Sequence, residues 1–167
     1  RYLNVGDYGA LAPSYRFSEL NGTKHLTATA LDDRAGLYCM YAIAQKLKDA
    51  RVRNGCTITF VSTVTEEAST GAAAVAARNV KPDIALTIDT TVATDQMRHT
   101  NEDTISKTYG TIHLDKGVVI PRGVNVNDDL FLYLEGLCTG RDKIAHQIEV
   151  GTAGTENEYI QVTGEGV

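Results

Sequence analysis

Thr57-Ile58-Thr59-Phe60-Val61-Ser62-Thr63-Val64 is a β-branched apolar run, and Glu66-Glu67 follows it almost at once. A small-residue stretch, 71–79, then suits a helix. Asp83-Ile84-Ala85-Leu86-Thr87-Ile88 is a second apolar run, closing at Asp89. Short runs rich in β-branched residues read as buried strands. Strand, helix and strand joined by short connections make a βαβ pattern. The chain is therefore predicted to be α/β, with a mixed, mostly parallel sheet flanked by helices.

Working outward, residues 25–30 favour β. Asp32-Asp33-Arg34 then opens a helical pattern in which Leu37, Met40, Tyr41, Ile43, Ala44 and Leu47 recur at helical spacing. Asp32 or Asp33 suits the N-cap of that helix. Lys46, Lys48, Arg51 and Arg53 suit its C-terminus, where cations meet the negative end of the helix dipole. Further upstream, 5–12 reads as a turn followed by a strand. Downstream, 106–120 holds one or two short strands around Gly117. Residues 126–137 are helical, starting near Asn127-Asp128 with Gly140 beyond their end. Residues 146–150 form another strand, and a Gly-Thr-rich turn, 151–155, enters a short segment to about Thr163.

Composition narrows the function. The chain has 167 residues, 43% hydrophobic and 22% charged, with a net charge of -5. That balance excludes disorder as the main state. No apolar run approaches the ~18 residues that cross a bilayer. No basic stripe is present to grip phosphates, so nucleic acid is excluded as a partner. Cys39, Cys56 and Cys138 fit no disulfide framework or C-x-x-C pair. They read as buried thiols in a reducing, cytoplasmic compartment. The chain starts at Arg1, with no apolar signal region after it, which reads as processing or a fragment.

The chemistry lies with carboxylates. Asp32-Asp33 precedes a helix, Glu66-Glu67 follows a strand, and Asp89 ends the next. In open α/β sheets, ligands bind beyond the carboxyl ends of strands. Carboxylates converging there repel one another unless a cation sits among them, and a divalent metal is the simplest candidate. Adjacent glutamates point to different sides of the backbone, so one can ligate while the other takes a proton. Each feature alone has an ordinary reading: a cap, a solvated loop, a turn former. The residues by themselves leave both readings open. His25, His99, His113 and His146 show no ligand spacing. No G-x-S-x-G, G-x-G-x-x-G or P-loop motif occurs.

Ala30-Leu31-Asp32-Asp33-Arg34-Ala35-Gly36, Val64-Thr65-Glu66-Glu67 and 82–91 together resemble the glutamyl aminopeptidase and cellulase-like metallopeptidases, the TET-type tetrahedral aminopeptidases. Val5-Gly6-Asp7, Leu114-Asp115-Lys116-Gly117 and Gly154-Thr155 extend the resemblance over nearly the whole chain. The resemblance implies a zinc-aminopeptidase, phosphorylase/hydrolase-like fold. It also implies a co-catalytic pair of divalent metal ions, zinc or cobalt, that removes N-terminal residues from peptides. On it, Asp32 is the bridging ligand, Glu67 and Asp89 are terminal ligands, and Glu66 is the general base. Asp33 is a cap or a supporting group, and Gly154 and Thr155 lie near the substrate. In this chain the last motif continues as Glu156-Asn157, where many members read Asp-Ala.

The resemblance further implies a homo-oligomer, with 1–20 as the tail of a small β insertion domain and 21–167 as a partial catalytic domain. The family's two ligand histidines have no counterpart here, so the chain reads as roughly the middle half of a member. Two other readings compete. One is a non-catalytic, truncated peptidase-like module for assembly or peptide binding. The other is glycoside hydrolysis, disfavoured because adjacent glutamates are ill placed to flank one bond from opposite sides.

Overall fold

The computed structural model describes residues 18–19, 24–50, 55–69, 71–96, 102–140, 143–151 and 156–163. The turn and strand expected at 5–12 lie outside them, as does all of the expected insertion-domain tail, 1–20, except Ser18–Glu19. The chain forms two compact units, Arg1–Arg51 and Val52–Val167.

In the first unit, β1 (Ser18–Glu19) pairs antiparallel with β2 (Leu26–Thr27). The β expectation for 25–30 thus shrinks to two paired residues. Helix α1 (Leu31–Asp49) follows where the spacing predicts it. Lys46 and Lys48 lie in its last turn, and the Ala50 N–H closes it on the Lys46 carbonyl. Its apolar stripe is only partly covered: Met40, Ala44 and Leu47 are half-buried, while Leu37, Tyr41 and Ile43 are exposed.

In the second unit, α2 (Gly71–Val80) carries Ala73 and Ala77, one turn apart, on its buried face. A 3₁₀ turn (Thr94–Gln96) and α3 (Glu102–Tyr109) come next. Then β3 (Val118–Gly123), α4 (Asp128–Thr139) and β4 (His146–Gly151) form a crossover unit. β3 and β4 are parallel, in register from Val118↔His146 to Gly123↔Gly151. Parallel neighbours need such a connection, and α4 supplies it. Asn127 caps α4 by accepting the Leu130 N–H at 3.0 Å. Among the described residues, Phe131 is the large side chain most completely removed from solvent. It packs with Ile120 and Cys138, and with the partly buried Val126 and Leu134. Arg122 covers the Phe131 ring at 5.0 Å and reaches Asp128 at 3.6 Å. Short α5 (Asn157–Ile160) packs against α2.

The α/β class stands, and the hydrogen-bonded βαβ unit is β3–α4–β4. The strands expected at 57–64 and 83–88 join no ladder among the described residues. Ile58, Phe60, Val64, Ile84 and Leu86 are exposed there. A β-branched run specifies a surface that fits a pleated sheet, but a strand also needs a partner backbone. The single expectation for 106–120 divides: helix α3 runs to Tyr109, and β3 begins at Val118. Two of the three cysteines also depart from expectation, with Cys39 and Cys56 exposed and Cys138 buried.

Candidate metal-ligand and base positions

In the first unit the candidate is Asp32. The chain enters α1 through Ala30, whose φ of 56° is left-handed, and through Asp32 and Asp33, which have non-helical dihedrals. The Asp33 Oδ1 accepts the Gly36 N–H at 2.9 Å. That is the N-cap bond of the regular helix, so Asp33 is the capping member of the pair. Gly36 is buried, and a Cβ added there would fall on the Asp33 carboxylate. Asp32 is exposed, and no hydrogen bond or ion pair engages its carboxylate among the described residues. One aspartate is thus used locally and its neighbour is left available.

In the second unit the candidates are Glu66, Glu67 and Asp89. The chain turns directly after 57–64. Thr65 has φ 65°, a region that costs a β-branched residue energy. Its carbonyl accepts the N–H groups of Ala68 at 3.0 Å and Ser69 at 2.7 Å, closing a turn around the glutamate pair. Glu66 is half-buried and Glu67 is exposed on that turn. Ser69 Oγ then accepts the Gly71 N–H at 3.3 Å at the entrance to α2.

Asp89 is exposed, and its Oδ1 accepts the Thr90 N–H at 2.7 Å. A carboxylate has a second oxygen and further lone pairs, so this bond leaves ligand capacity. Within this unit, no three described His, Cys, Asp or Glu side chains gather around one ion-sized point. Gly154 and Thr155 lie outside the described residues.

Some participants carried no sequence signal. Thr63, Thr87 and Thr91 look like ordinary strand threonines, yet each donates its hydroxyl to a distant side chain. The Glu156-Asn157 departure was visible, but what it touches was not. Asp95 sits between the Leu114 N–H at 3.3 Å and His113 Nδ1 at 3.4 Å, and its Oδ1 is buried without a partner among the described residues. Gln147 exchanges two hydrogen bonds with the His113 backbone, at 2.9 and 3.0 Å. His113 and His146 thus have local partners, His146 through the Ile144 carbonyl at 3.0 Å.

The model of the M42 glutamyl aminopeptidase family matches residues 2–167. The chain belongs to that family. It is 30% identical over 169 aligned positions to a lysyl aminopeptidase of Pyrococcus furiosus, covering 99% of this chain and 44% of that protein. Its fold superposes on an aminopeptidase from the archaeon Desulfurococcus kamchatkensis with a TM-score of 0.77 at 25% identity. That match covers 92% of this chain and 42% of the other. The chain therefore spans less than half the length of these relatives. M42 peptidases are metal-dependent in general. No helix among the described residues is long and apolar enough to cross a membrane.

Proposed function

We propose that the protein is a metal-dependent aminopeptidase that hydrolyses the N-terminal peptide bond of peptides, and that this chain carries the carboxylate part of its dinuclear centre. Asp32 would bridge the two ions, and Glu67 and Asp89 would each hold one. The observation that carries the reading is the division of the aspartate pair: Asp33 caps α1, while the exposed Asp32 carboxylate has no partner among the described residues. Exposed carboxylates at 32, 67 and 89 are a donor set of hard oxygens suited to divalent ions. Bound zinc or cobalt would polarise the scissile carbonyl and acidify a water.

Glu66 is the general base. It accepts a proton from the attacking water and returns it to the leaving amine. Its half-buried place on a turn closed by two bonds to the Thr65 carbonyl limits its freedom, which favours a positioned proton acceptor. Gly154 and Thr155 would line the path of the peptide. The domain assignment at 1–20 and 21–167 belongs to the same reading, as do a cytoplasmic location and a homo-oligomeric whole protein.

The test is Glu66→Gln in the protein expressed over its complete reading frame, assayed on a chromogenic aminoacyl substrate with metal content measured alongside. Turnover should fall about 10²–10⁴-fold with metal retained. Undiminished turnover would remove Glu66 from the role. A wild-type protein that binds metal yet cleaves no aminoacyl substrate would instead favour the non-catalytic module.

A further inference from the structure

Segments 57–64 and 83–88 lead to the proposed base and ligands, yet no ladder pairs them among the described residues. Side chains from one later stretch reach both. At the start of α5, Glu156 Oε1 accepts the Thr63 hydroxyl at 2.5 Å, and Asn157 Oδ1 accepts the Thr87 hydroxyl at 2.9 Å. Near the end of β4, Glu149 Oε2 accepts the Thr91 hydroxyl at 2.7 Å.

The placement of the donors is specific. Thr63 stands just ahead of the strained Thr65 and the glutamate turn. Thr87 and Thr91 bracket Asp89 symmetrically along the chain. Two of the three acceptors are carboxylates, and bonds to ionised acceptors are the stronger kind. The stretch that supplies them is tied into the scaffold by β4 pairing with β3 and by α5 packing on α2.

We propose that Glu149, Glu156 and Asn157 are positioning residues. They fix the Glu66-Glu67 turn and Asp89 to one rigid frame, through hydroxyls where backbone pairing is lacking. What the held carboxylates do rests on the metallopeptidase reading; the holding itself does not. The idea also gives the Glu-Asn departure from Asp-Ala a physical task, since alanine offers no acceptor to Thr87.

The experiment compares Glu156→Ala, Glu156→Gln, Asn157→Ala, Thr63→Val and the Thr63→Val/Glu156→Ala double variant, all in the protein over its complete reading frame. Amide hydrogen exchange is read at 65–69 and 89–91, and cobalt affinity by absorption titration. Glu156→Ala and Thr63→Val should each speed exchange at 65–69 about tenfold or more, as expected for losing a bond to a charged group. The double variant should exchange no faster than the worse single one. Glu156→Gln keeps a carbonyl acceptor and should restore protection. Asn157→Ala should loosen 89–91 selectively. Cobalt affinity should fall about 10–100-fold in both alanine variants and recover in Glu156→Gln.

Unchanged exchange at both places would overturn the proposal. So would loosened segments with wild-type cobalt affinity, which would leave the bonds purely structural. If the wild-type protein binds no cobalt, the metallopeptidase reading fails, and the exchange data alone decide whether the frame exists.

Discussion

Two regions of the second unit draw on similar apolar, β-branched sequence and are held in different ways. In β3–α4–β4, backbone ladders and a core of Ile120, Phe131 and Cys138 fix the chain. In 57–69 and 83–91, large aliphatic side chains stay exposed, and threonine hydroxyls reaching to 149, 156 and 157 provide the long-range bonds that are seen. The carboxylates of the proposed site in this unit all belong to the second kind. Ladders and cores are costly to open, whereas segments held by a few exposed or half-buried bonds open locally at low cost. The difference places stability on the crossover unit and makes the position of the proposed carboxylates depend on a few side-chain bonds.

Three substitutions, from the largest expected effect to the smallest, would break or sharpen that contrast. Phe131→Ala empties the centre of the crossover core and should cost about 3–5 kcal/mol in urea unfolding. A cost no greater than that of losing one cap would show that the core does not hold the unit. Gly117→Ala strikes the ladder's entrance: Gly117 has φ 98°, and an added Cβ would meet the Ala145 carbonyl and the His146 nitrogen. Strain with no room to relax should cost more than about 1 kcal/mol by the same measurement. Asn127→Ala removes the α4 cap and should cost about 1 kcal/mol, readable as a lowered Tm. Because β4 carries Glu149, Phe131→Ala should also speed amide exchange at 89–91, whereas Asn127→Ala should leave it near wild type.

The helices were the most legible part of the sequence. α1 follows from apolar spacing, an Asp cap and basic residues at its end, α2 from its run of small residues, and α4 from apolar spacing, an Asn cap and Gly140 beyond its end, all local signals. α3 escaped notice because its run, 102–109, is mostly polar and has little apolar periodicity to read. Runs 57–64 and 83–88 look more strand-like than β3, which contains Pro121 and Arg122, yet β3 is the one that pairs. Pairing depends on which backbone lies alongside, and composition does not carry that information. The sequence singles out the carboxylates at 32, 66, 67 and 89 as candidates, and their roles belong to the proposal. The choice of Asp33 over Asp32 as cap was not legible, because either aspartate has the right chemistry and only the dihedrals separate them. Exposure at Cys39 and Cys56 was likewise invisible, since it depends on how fully neighbouring segments cover them.

The aspartate pair also carries a phase. The bond that occupies Asp33 runs to an amide three positions on, and the bare α-carbon of Gly36 makes room for it. Deleting one residue between Asp33 and Gly36 would bring Asp32 to that same distance from the glycine amide. The capping task would pass back by one, and the carboxylate now unengaged would be consumed in starting the helix. Two chemically identical neighbours thus hold opposite roles through their spacing from Gly36, and a change that alters no acidic residue would exchange them.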